Sequence, residues 1–125
     1  MMTSQSRIRV LLVDDVPAVR ADLRLLLELI EAIEIVGEAA NGREATVLAA
    51  TLQPDVVITD LEMPVLDGCE AAKEIMARGL ARKVIMLSIH AGPEIRHRAI
   101  ESGVSAFIHK GEDIEHLIQA ILETA

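Results

Sequence analysis

The chain alternates between short apolar runs and longer amphipathic stretches. Four apolar runs of strand length lead into polar residues, and they lie at residues 9–13, 55–60, 84–87 and 104–108. Between them, apolar side chains recur at the three- and four-residue spacing of helices that bury one face. This alternation is typical of a parallel sheet with helices packed on its faces.

The predicted helices begin and end at characteristic residues. Pro17 suits the first turn of a first helix. Asn41, with Glu44 three residues later, resembles a capping box for a second helix, which Pro54 ends. We place a further strand at residues 35–39 and further helices at about residues 68–77, 93–101 and 114–122. Five strands and five helices predict a doubly wound α/β domain with a five-stranded parallel sheet.

The composition excludes several kinds of function. A chain of 125 residues can bury its own core as one domain without a metal or a disulfide. It has 20 acidic and 12 basic residues, and its net charge of -8 would repel a phosphate backbone. Phe107 is its only aromatic residue, so no base-stacking surface can form. We therefore expect that this domain itself binds no nucleic acid.

The sequence gives no indication of export or of contact with a membrane. Its apolar runs are far shorter than the roughly 20 residues of a membrane-spanning helix, and its start lacks a signal-peptide pattern. Cys69 is the only cysteine, which excludes an internal disulfide. We expect a cytoplasmic protein with a disordered tail at residues 1–6 and a single domain at residues 7–125.

Polar side chains gather where the predicted strands end. Asp14 and Asp15 follow the first strand, and Asp60, Ser88 and Lys110 stand at the ends of three others. Parallel strands present their carboxyl ends at one edge of a sheet, so these groups should converge there. Neighbouring carboxylates repel by about 1 to 4 kcal/mol per pair, and hard oxygen ligands favour Mg²⁺ over Zn²⁺. The set matches the needs of a phosphoryl group in transfer.

In this order, the residues resemble the receiver domains of two-component response regulators. The resemblance covers nearly the whole chain and is carried by Asp14-Asp15, Asp60, Met63-Pro64, Asp67-Gly68, Ser88, Phe107 and Lys110. It implies a flavodoxin-like (βα)5 fold with strand order 2-1-3-4-5. It also implies a regulatory domain rather than an enzyme, one that catalyses its own phosphotransfer and dephosphorylation.

The resemblance implies an acceptor and a metal site. Asp60 would accept a phosphoryl group from a sensor histidine kinase or a phosphotransfer protein. Mg²⁺ would be held by Asp15, by Asp60 and by the backbone carbonyl of Glu62, with Asp14 assisting through water. Phosphorylation would also favour a homodimer in many members of this family.

Further residues match positions that bind the phosphoryl group or respond to it. Lys110 would pair with the phosphoryl oxygens, and Ser88 would move to donate a hydrogen bond to them. Phe107 would turn inward behind Ser88, so that the two form the switch. Glu62 and His90 occupy variable positions beside the attacking water, and we expect them to tune the rate of dephosphorylation.

Two positions depart from the most frequent pattern of the family. Gly111 follows Lys110 where many members have proline, as in the subfamily that carries a helix-turn-helix output domain. This variant implies transcription regulation by the full-length protein. Ile89 is bulky where a small residue is frequent, and we expect it to narrow access to Asp60.

Alternative interpretations stay open at the level of sequence. Taken singly, Asp14 and Asp15 are also typical of a helix cap, and Ser88 and Lys110 of ordinary strand ends. A haloacid-dehalogenase-like phosphatase would also use a strand-end aspartate with Mg²⁺, although its nucleophile normally ends the first strand. A stand-alone receiver that acts only as a protein-binding module is the other alternative.

Overall fold

The computed structural model describes residues 7–90 and 92–123, so the predicted tail at residues 1–6 lies outside the described residues. Strands and helices alternate in the order β1 (Ile8–Val13), α1 (Pro17–Glu28), β2 (Ile33–Ala39), α2 (Gly42–Leu52), β3 (Val56–Asp60), α3 (Gly68–Ala77), β4 (Lys83–Ser88), α4 (Pro93–Glu101), β5 (Ala106–His109) and α5 (Ile114–Leu122). The strands form one parallel sheet in the order β2-β1-β3-β4-β5. The predicted fold class and strand order are confirmed. Within the described ranges, no helix is long and apolar enough to cross a bilayer.

Two layers of helices cover the sheet, because successive side chains of a strand point to opposite faces. On one face, Leu11, Val57 and Met86 pack against α2, α3 and α4. On the other face, Leu12 and Ile58 are among the strand residues that pack against α1 and α5. The central strands are therefore buried on both faces, which explains why they are continuous apolar runs in the sequence.

The predicted capping box of α2 is present. The Asn41 side chain accepts a hydrogen bond from the backbone N–H of Glu44 at 2.9 Å. The Glu44 carboxylate accepts one from the backbone N–H of Ala40 at 2.8 Å, one residue earlier than the usual partner. Helix α2 ends at Leu52, and Gln53 then takes the left-handed conformation with φ of 49°. The capping residues thus set the position of α2, as predicted.

Two strands begin two residues away from their predicted starts. Strand β2 begins at Ile33 rather than at residue 35, because this edge strand alternates between buried Ile33, exposed Glu34 and buried Ile35. Strand β5 begins at Ala106 rather than at residue 104. Val104 packs against the core without joining the strand ladder, so its apolar character reports burial and not strand pairing.

Candidate functional site at the carboxyl edge of the sheet

The topology brings the predicted acids together. Strands β1 and β3 are neighbours, and their carboxyl ends carry Asp14 and Asp15 on one side and Asp60 on the other. One carboxylate oxygen from each of these residues lies within 4.8 Å of the others. Lys110, which follows β5, places its Nζ 3.0 Å from Asp14 Oδ2 and 3.4 Å from Asp60 Oδ2. The sheet edge therefore holds three carboxylates and one ammonium in direct proximity.

Both carboxylate oxygens of Asp14 accept hydrogen bonds, which fix the side chain. The residue is 2% exposed, and its Oδ1 accepts a hydrogen bond from the backbone N–H of Val16 at 2.9 Å. Its Oδ2 accepts one from Lys110 at 3.0 Å. Helix α1 has no side-chain cap, so the capping interpretation does not account for Asp14. Asp15, in contrast, is exposed, although one of its carboxylate oxygens belongs to the same cluster.

The charges of the cluster suit a divalent cation. Burial raises the pKa of Asp60, with a further increase from Asp14, while Lys110 and a backbone hydrogen bond from Glu62 oppose it. Burial acts to lower the pKa of Lys110, but its bonds to Asp14 and Asp60 outweigh this, and its pKa is raised. Lys110 therefore stays an ammonium at neutral pH. Three carboxylates and one ammonium leave a formal charge of -2, and every carboxylate donor is a hard oxygen that fits Mg²⁺.

Ser88 stands beside the cluster but is engaged with its own loop. It ends β4, the neighbour of β3, and is fully buried. Its Oγ accepts a hydrogen bond from the backbone N–H of His90 at 3.0 Å. The structure thus places the hydroxyl at the predicted edge while its oxygen is bonded within the loop after β4.

Phe107 lies in β5 and is half-buried. Its ring packs against the core beneath α4. The guanidinium of Arg96, on α4, lies 5.4 Å from the centre of the ring, within the range of a cation–π contact. The predicted switch aromatic is therefore in contact with α4 in this conformation.

Glu62 and His90 contact each other between two loops at the carboxyl edge of the sheet. His90 Nε2 lies 2.9 Å from Glu62 Oε1, and both side chains are at least half exposed. The pair joins the loop after β3 to the loop after β4. The sequence identifies both residues as candidates but does not predict their contact. Ile89, expected to narrow access to Asp60, has a side chain that is mostly exposed.

A contact that the sequence reasoning missed involves His109, which directly precedes Lys110. Its Nδ1 accepts a hydrogen bond from the backbone N–H of Gly111 at 3.1 Å, so its Nε2 carries the proton and donates to the carbonyl of Ile89 at 2.9 Å. Proline at position 111 would have no N–H to donate. This contact gives Gly111 a structural role in joining the loops after β4 and β5.

Arg20 is a second residue that sequence reasoning missed. Its Nη1 donates a hydrogen bond to the backbone carbonyl of Asp14 at 2.6 Å, and its Nε pairs with Glu38 of β2 at 3.0 Å. Arg24, one helical turn later, also pairs with Glu38, at 2.7 Å. The spacing of the two arginines is visible in the sequence, but their shared partner on another strand is not.

Asp67 and Gly68 shape the turn from β3 into α3. The Asp67 side chain caps α3 by accepting a hydrogen bond from the backbone N–H of Glu70 at 2.9 Å. Its other oxygen pairs with Arg98 of α4. A Cβ added to Gly68 would lie 2.1 Å from the carbonyl oxygen of Asp60, so only glycine lets α3 begin this close to the strand end.

Comparisons with known proteins agree with this geometry. Residues 10–122 match a family model described as a response regulator receiver domain. The chain is 38% identical over 114 residues to an uncharacterized transcriptional regulatory protein, YvfU, of Bacillus subtilis (strain 168), which covers 91% of this chain and 57% of YvfU. It is 37% identical over 114 residues to the response regulator UvrY of Escherichia coli (strain K12), which covers 91% of this chain and 52% of UvrY.

A solved structure gives the same result. The chain is similar to the signal receiver domain of the putative response regulator NarL from Mycobacterium tuberculosis, with a TM-score of 0.90 and 29% identity over 95% of this chain and 96% of that chain. These matches favour neither the phosphatase alternative nor the stand-alone binding module. The chain spans about half the length of the curated relatives it matches.

Proposed function

The chain belongs to the response regulator receiver family, and from this premise we propose that it is a phosphorylation-dependent switch whose acceptor is Asp60. The phosphoryl group comes from a histidine kinase or a phosphotransfer protein. The observation that carries the proposal is the proximity of Asp14, Asp15, Asp60 and Lys110 at one edge of the sheet. Few structural needs explain three acids gathered around one lysine at the mouth of a parallel sheet.

In the transfer step, a carboxylate oxygen of Asp60 attacks the phosphorus in line with the bond to the donor. The new O–P bond forms as the donor's N–P bond breaks, and the electron pair returns to the donor's imidazole. Asp15, Asp60 and the Glu62 carbonyl would hold Mg²⁺, with Asp14 assisting, and the ion would supply positive charge to neutralise the phosphoryl oxygens. Lys110 lies 3.4 Å from Asp60 and is placed to pair with the same oxygens.

The switch rests on side chains whose present partners can be exchanged. Ser88 leaves the His90 N–H to donate to the phosphoryl group, and Phe107 turns inward into the space behind Ser88. Arg96 then loses or changes its contact with the ring. Phosphorylation favours the second conformation only through such contacts that differ between the two states.

Glu62 and His90 tune the lifetime of the phosphoryl group. Their contact joins the loops that follow β3 and β4, which supports a role in covering part of the path by which water reaches Asp60. Removing either side chain opens this path, and we expect a shorter phosphate half-life for Glu62→Ala and for His90→Ala. Unchanged half-lives in both variants would contradict this role.

The output is transcription regulation by a longer protein in the cytoplasm, with a homodimer favoured by phosphorylation. Two observations support transcription regulation by a longer protein. Gly111 follows the lysine as in regulators with a helix-turn-helix output domain, and the chain matches about half of a protein named as a transcriptional regulator. The net charge of -8 supports a contact with DNA that lies outside this domain.

A phosphodonor assay tests the proposed function. The protein is incubated with acetyl phosphate and MgCl₂, and its intact mass is measured. We expect a gain of one phosphoryl group that hydroxylamine removes, that a chelator prevents and that Asp60→Asn lacks. Asp113→Asn, which neutralises an acid at the start of α5, serves as the matched control and should be phosphorylated normally. Phosphorylation of Asp60→Asn to the same extent would overturn the assignment.

A further inference from the structure

Arg20 contacts the site through the main chain and not through a carboxylate. Its Nη1 donates to the carbonyl oxygen of Asp14 at 2.6 Å, and this residue of α1 is mostly buried, with 17% of its side chain exposed. Glu38, on the neighbouring strand β2, accepts from Arg20 Nε at 3.0 Å and from Arg24 Nη1 at 2.7 Å. The guanidinium is thus held between a carboxylate on β2 and the end of β1.

The carbonyl that Arg20 binds belongs to the peptide that joins Asp14 to Asp15. Because a peptide is planar, fixing the direction of this carbonyl also fixes the bond that leads to the Cα of Asp15. The Asp14 N–H is held as well, by the carbonyl of Ala39 at 3.1 Å. The Asp14 carboxylate also has hydrogen-bond partners. Within the described part of the chain the exposed Asp15 carboxylate has none, so its direction depends on its backbone.

We propose that Arg20 is a positioning residue for the divalent cation, because it sets the peptide plane from which Asp15 extends toward Asp14 and Asp60. This inference rests on the proposed function, in which Asp15 is a ligand of Mg²⁺. Groups that orient the ligands of a metal often change its affinity by about 10- to 100-fold when they are removed.

Whether the removal of Arg20 weakens or strengthens binding of Mg²⁺ distinguishes a positioning role from an effect of its charge. Arg20 carries a positive charge near the cluster, so its charge alone repels a cation, and removing it would strengthen binding of Mg²⁺. Positioning predicts the opposite result. A purely structural role, in which the partly exposed ion pairs only hold α1 on β2, would change stability slightly and leave the affinity for Mg²⁺ unaltered.

The test is an NMR titration of ¹⁵N-labelled protein with MgCl₂. For Arg20→Gln we expect binding that is about tenfold weaker than in the wild type. Arg20→Lys keeps the charge, but one ammonium cannot reproduce both contacts, so we expect nearly the same loss. Arg24→Gln removes an equal charge from the same helix, but Arg24 does not contact the Asp14 carbonyl. The loss of affinity for Mg²⁺ in this variant should therefore be clearly smaller. Arg82→Gln, paired with Asp55 away from the site, should bind like the wild type.

The same spectra without metal give an independent readout. We expect the amide resonance of Asp15 to shift in Arg20→Gln and Arg20→Lys, and to stay in place in Arg82→Gln. Glu38→Gln leaves Arg20 present but weakens its anchor. Losing a carboxylate would by itself lower the affinity for Mg²⁺, so for this variant the deciding readout is a shift of the Asp15 amide, which should be smaller than in Arg20→Gln. This shift decides the question even if an Arg20 variant fails to fold.

Two results would overturn the inference in distinguishable ways. If the wild type binds Mg²⁺ while the Arg20 variants bind it equally or more tightly and the Asp15 amide stays in place in Glu38→Gln, Arg20 is no positioning residue, and the proposed function stands. If the wild type itself shows no response to MgCl₂, the proposed function fails, and the role of Arg20 fails with it.

Discussion

Helices α3 and α4 pack on the same face of the sheet, yet they are held there by different means. Helix α3 buries Gly68, Cys69, Ala71, Ala72 and Ile75 and is capped by the Asp67 side chain. Helix α4 buries Ala99 alone and begins after Gly92 without a side-chain cap. Its other contacts with the domain include an ion pair of Arg98 with Asp67 and a cation–π contact of Arg96 with the ring of Phe107. Burial thus fixes α3, while exchangeable polar contacts contribute much of what holds α4.

This difference indicates which helix can respond to the site. Exposed ion pairs and cation–π contacts are each worth about 1 kcal/mol or less, so α4 can shift at a cost that one new contact offsets. Segments with few buried apolar contacts are also the ones that open most easily. Both arginine contacts end at residues next to the site, in the loop after Asp60 and at the predicted switch aromatic.

The largest expected effect compares two isoleucines. Ile75 of α3 is 1% exposed, and Ile75→Ala should lower the free energy of unfolding by about 3 kcal/mol through lost burial and a cavity. Ile100 of α4 is 58% exposed, and Ile100→Ala should change it by less than about 0.5 kcal/mol. Urea unfolding measures both. Equal losses would mean that α4 is as firmly packed as α3.

The second largest expected effect on stability compares Gly68 at the start of α3 with Gly92 before α4. In Gly68→Ala the new methyl group would lie 2.1 Å from the Asp60 carbonyl oxygen, and relieving this contact should cost about 2 kcal/mol. Nothing lies within 4 Å of a Cβ at Gly92, whose φ of 164° is ordinary extended backbone. Gly92→Ala should therefore be neutral in the same unfolding experiment. A neutral Gly68→Ala would contradict the close approach of α3 to β3.

Asp67 contacts both helices, because it caps α3 and pairs with Arg98 of α4. Variants of Asp67 separate the effects of these two contacts. Burial opposes its ionisation, but the Glu70 N–H and the Arg98 guanidinium outweigh this and lower the pKa of Asp67. Asp67→Ala removes the cap and the ion pair and should cost about 1 kcal/mol at neutral pH. Asp67→Asn keeps a capping oxygen and should cost less, since it loses only the partly exposed ion pair.

The contribution of Asp67 should also depend on pH. Because its folded pKa lies below the unfolded value of about 3.9, the stabilisation is complete above that value. It is lost as the pH falls through the folded pKa. The difference in stability between the wild type and Asp67→Asn should therefore shrink when unfolding is measured near pH 3 instead of pH 7. A constant difference would show that the charge of Asp67 contributes nothing.

Much of the fold could be predicted because local patterns determine it. The approximate bounds predicted for α3 and α4, residues 68–77 and 93–101, agree with the observed helices, which begin at Gly68 and Pro93. The edge strand β2 was predicted too short, because Glu34 interrupts its apolar run, and β5 too long, because the partly buried Val104 packs against the core without pairing. An apolar run reports burial, and only the structure shows which of its residues join a ladder.

Much of the candidate site could also be predicted, because its residues follow local strand patterns. Strand ends carry the acids, Ser88 and Lys110, so the order of strands alone brings them to one edge. The contact of Arg20 with the Asp14 carbonyl could not be predicted, since a backbone acceptor leaves no trace in the sequence. The pair of Asp67 and Arg98 joins positions 31 residues apart with no periodic relation.

Hydrogen exchange tests most directly whether a phosphoryl group on Asp60 acts on α4 and not on α3. Exchange is followed by mass spectrometry with and without Mg²⁺ and beryllofluoride, a mimic of the phosphoryl group, with Asp60→Asn as the control. We expect changed exchange in the loop after β4, in α4 and in β5, none in the body of α3, and none in Asp60→Asn. Changes in α3 that equal those in α4, or the same changes in Asp60→Asn, would contradict the account.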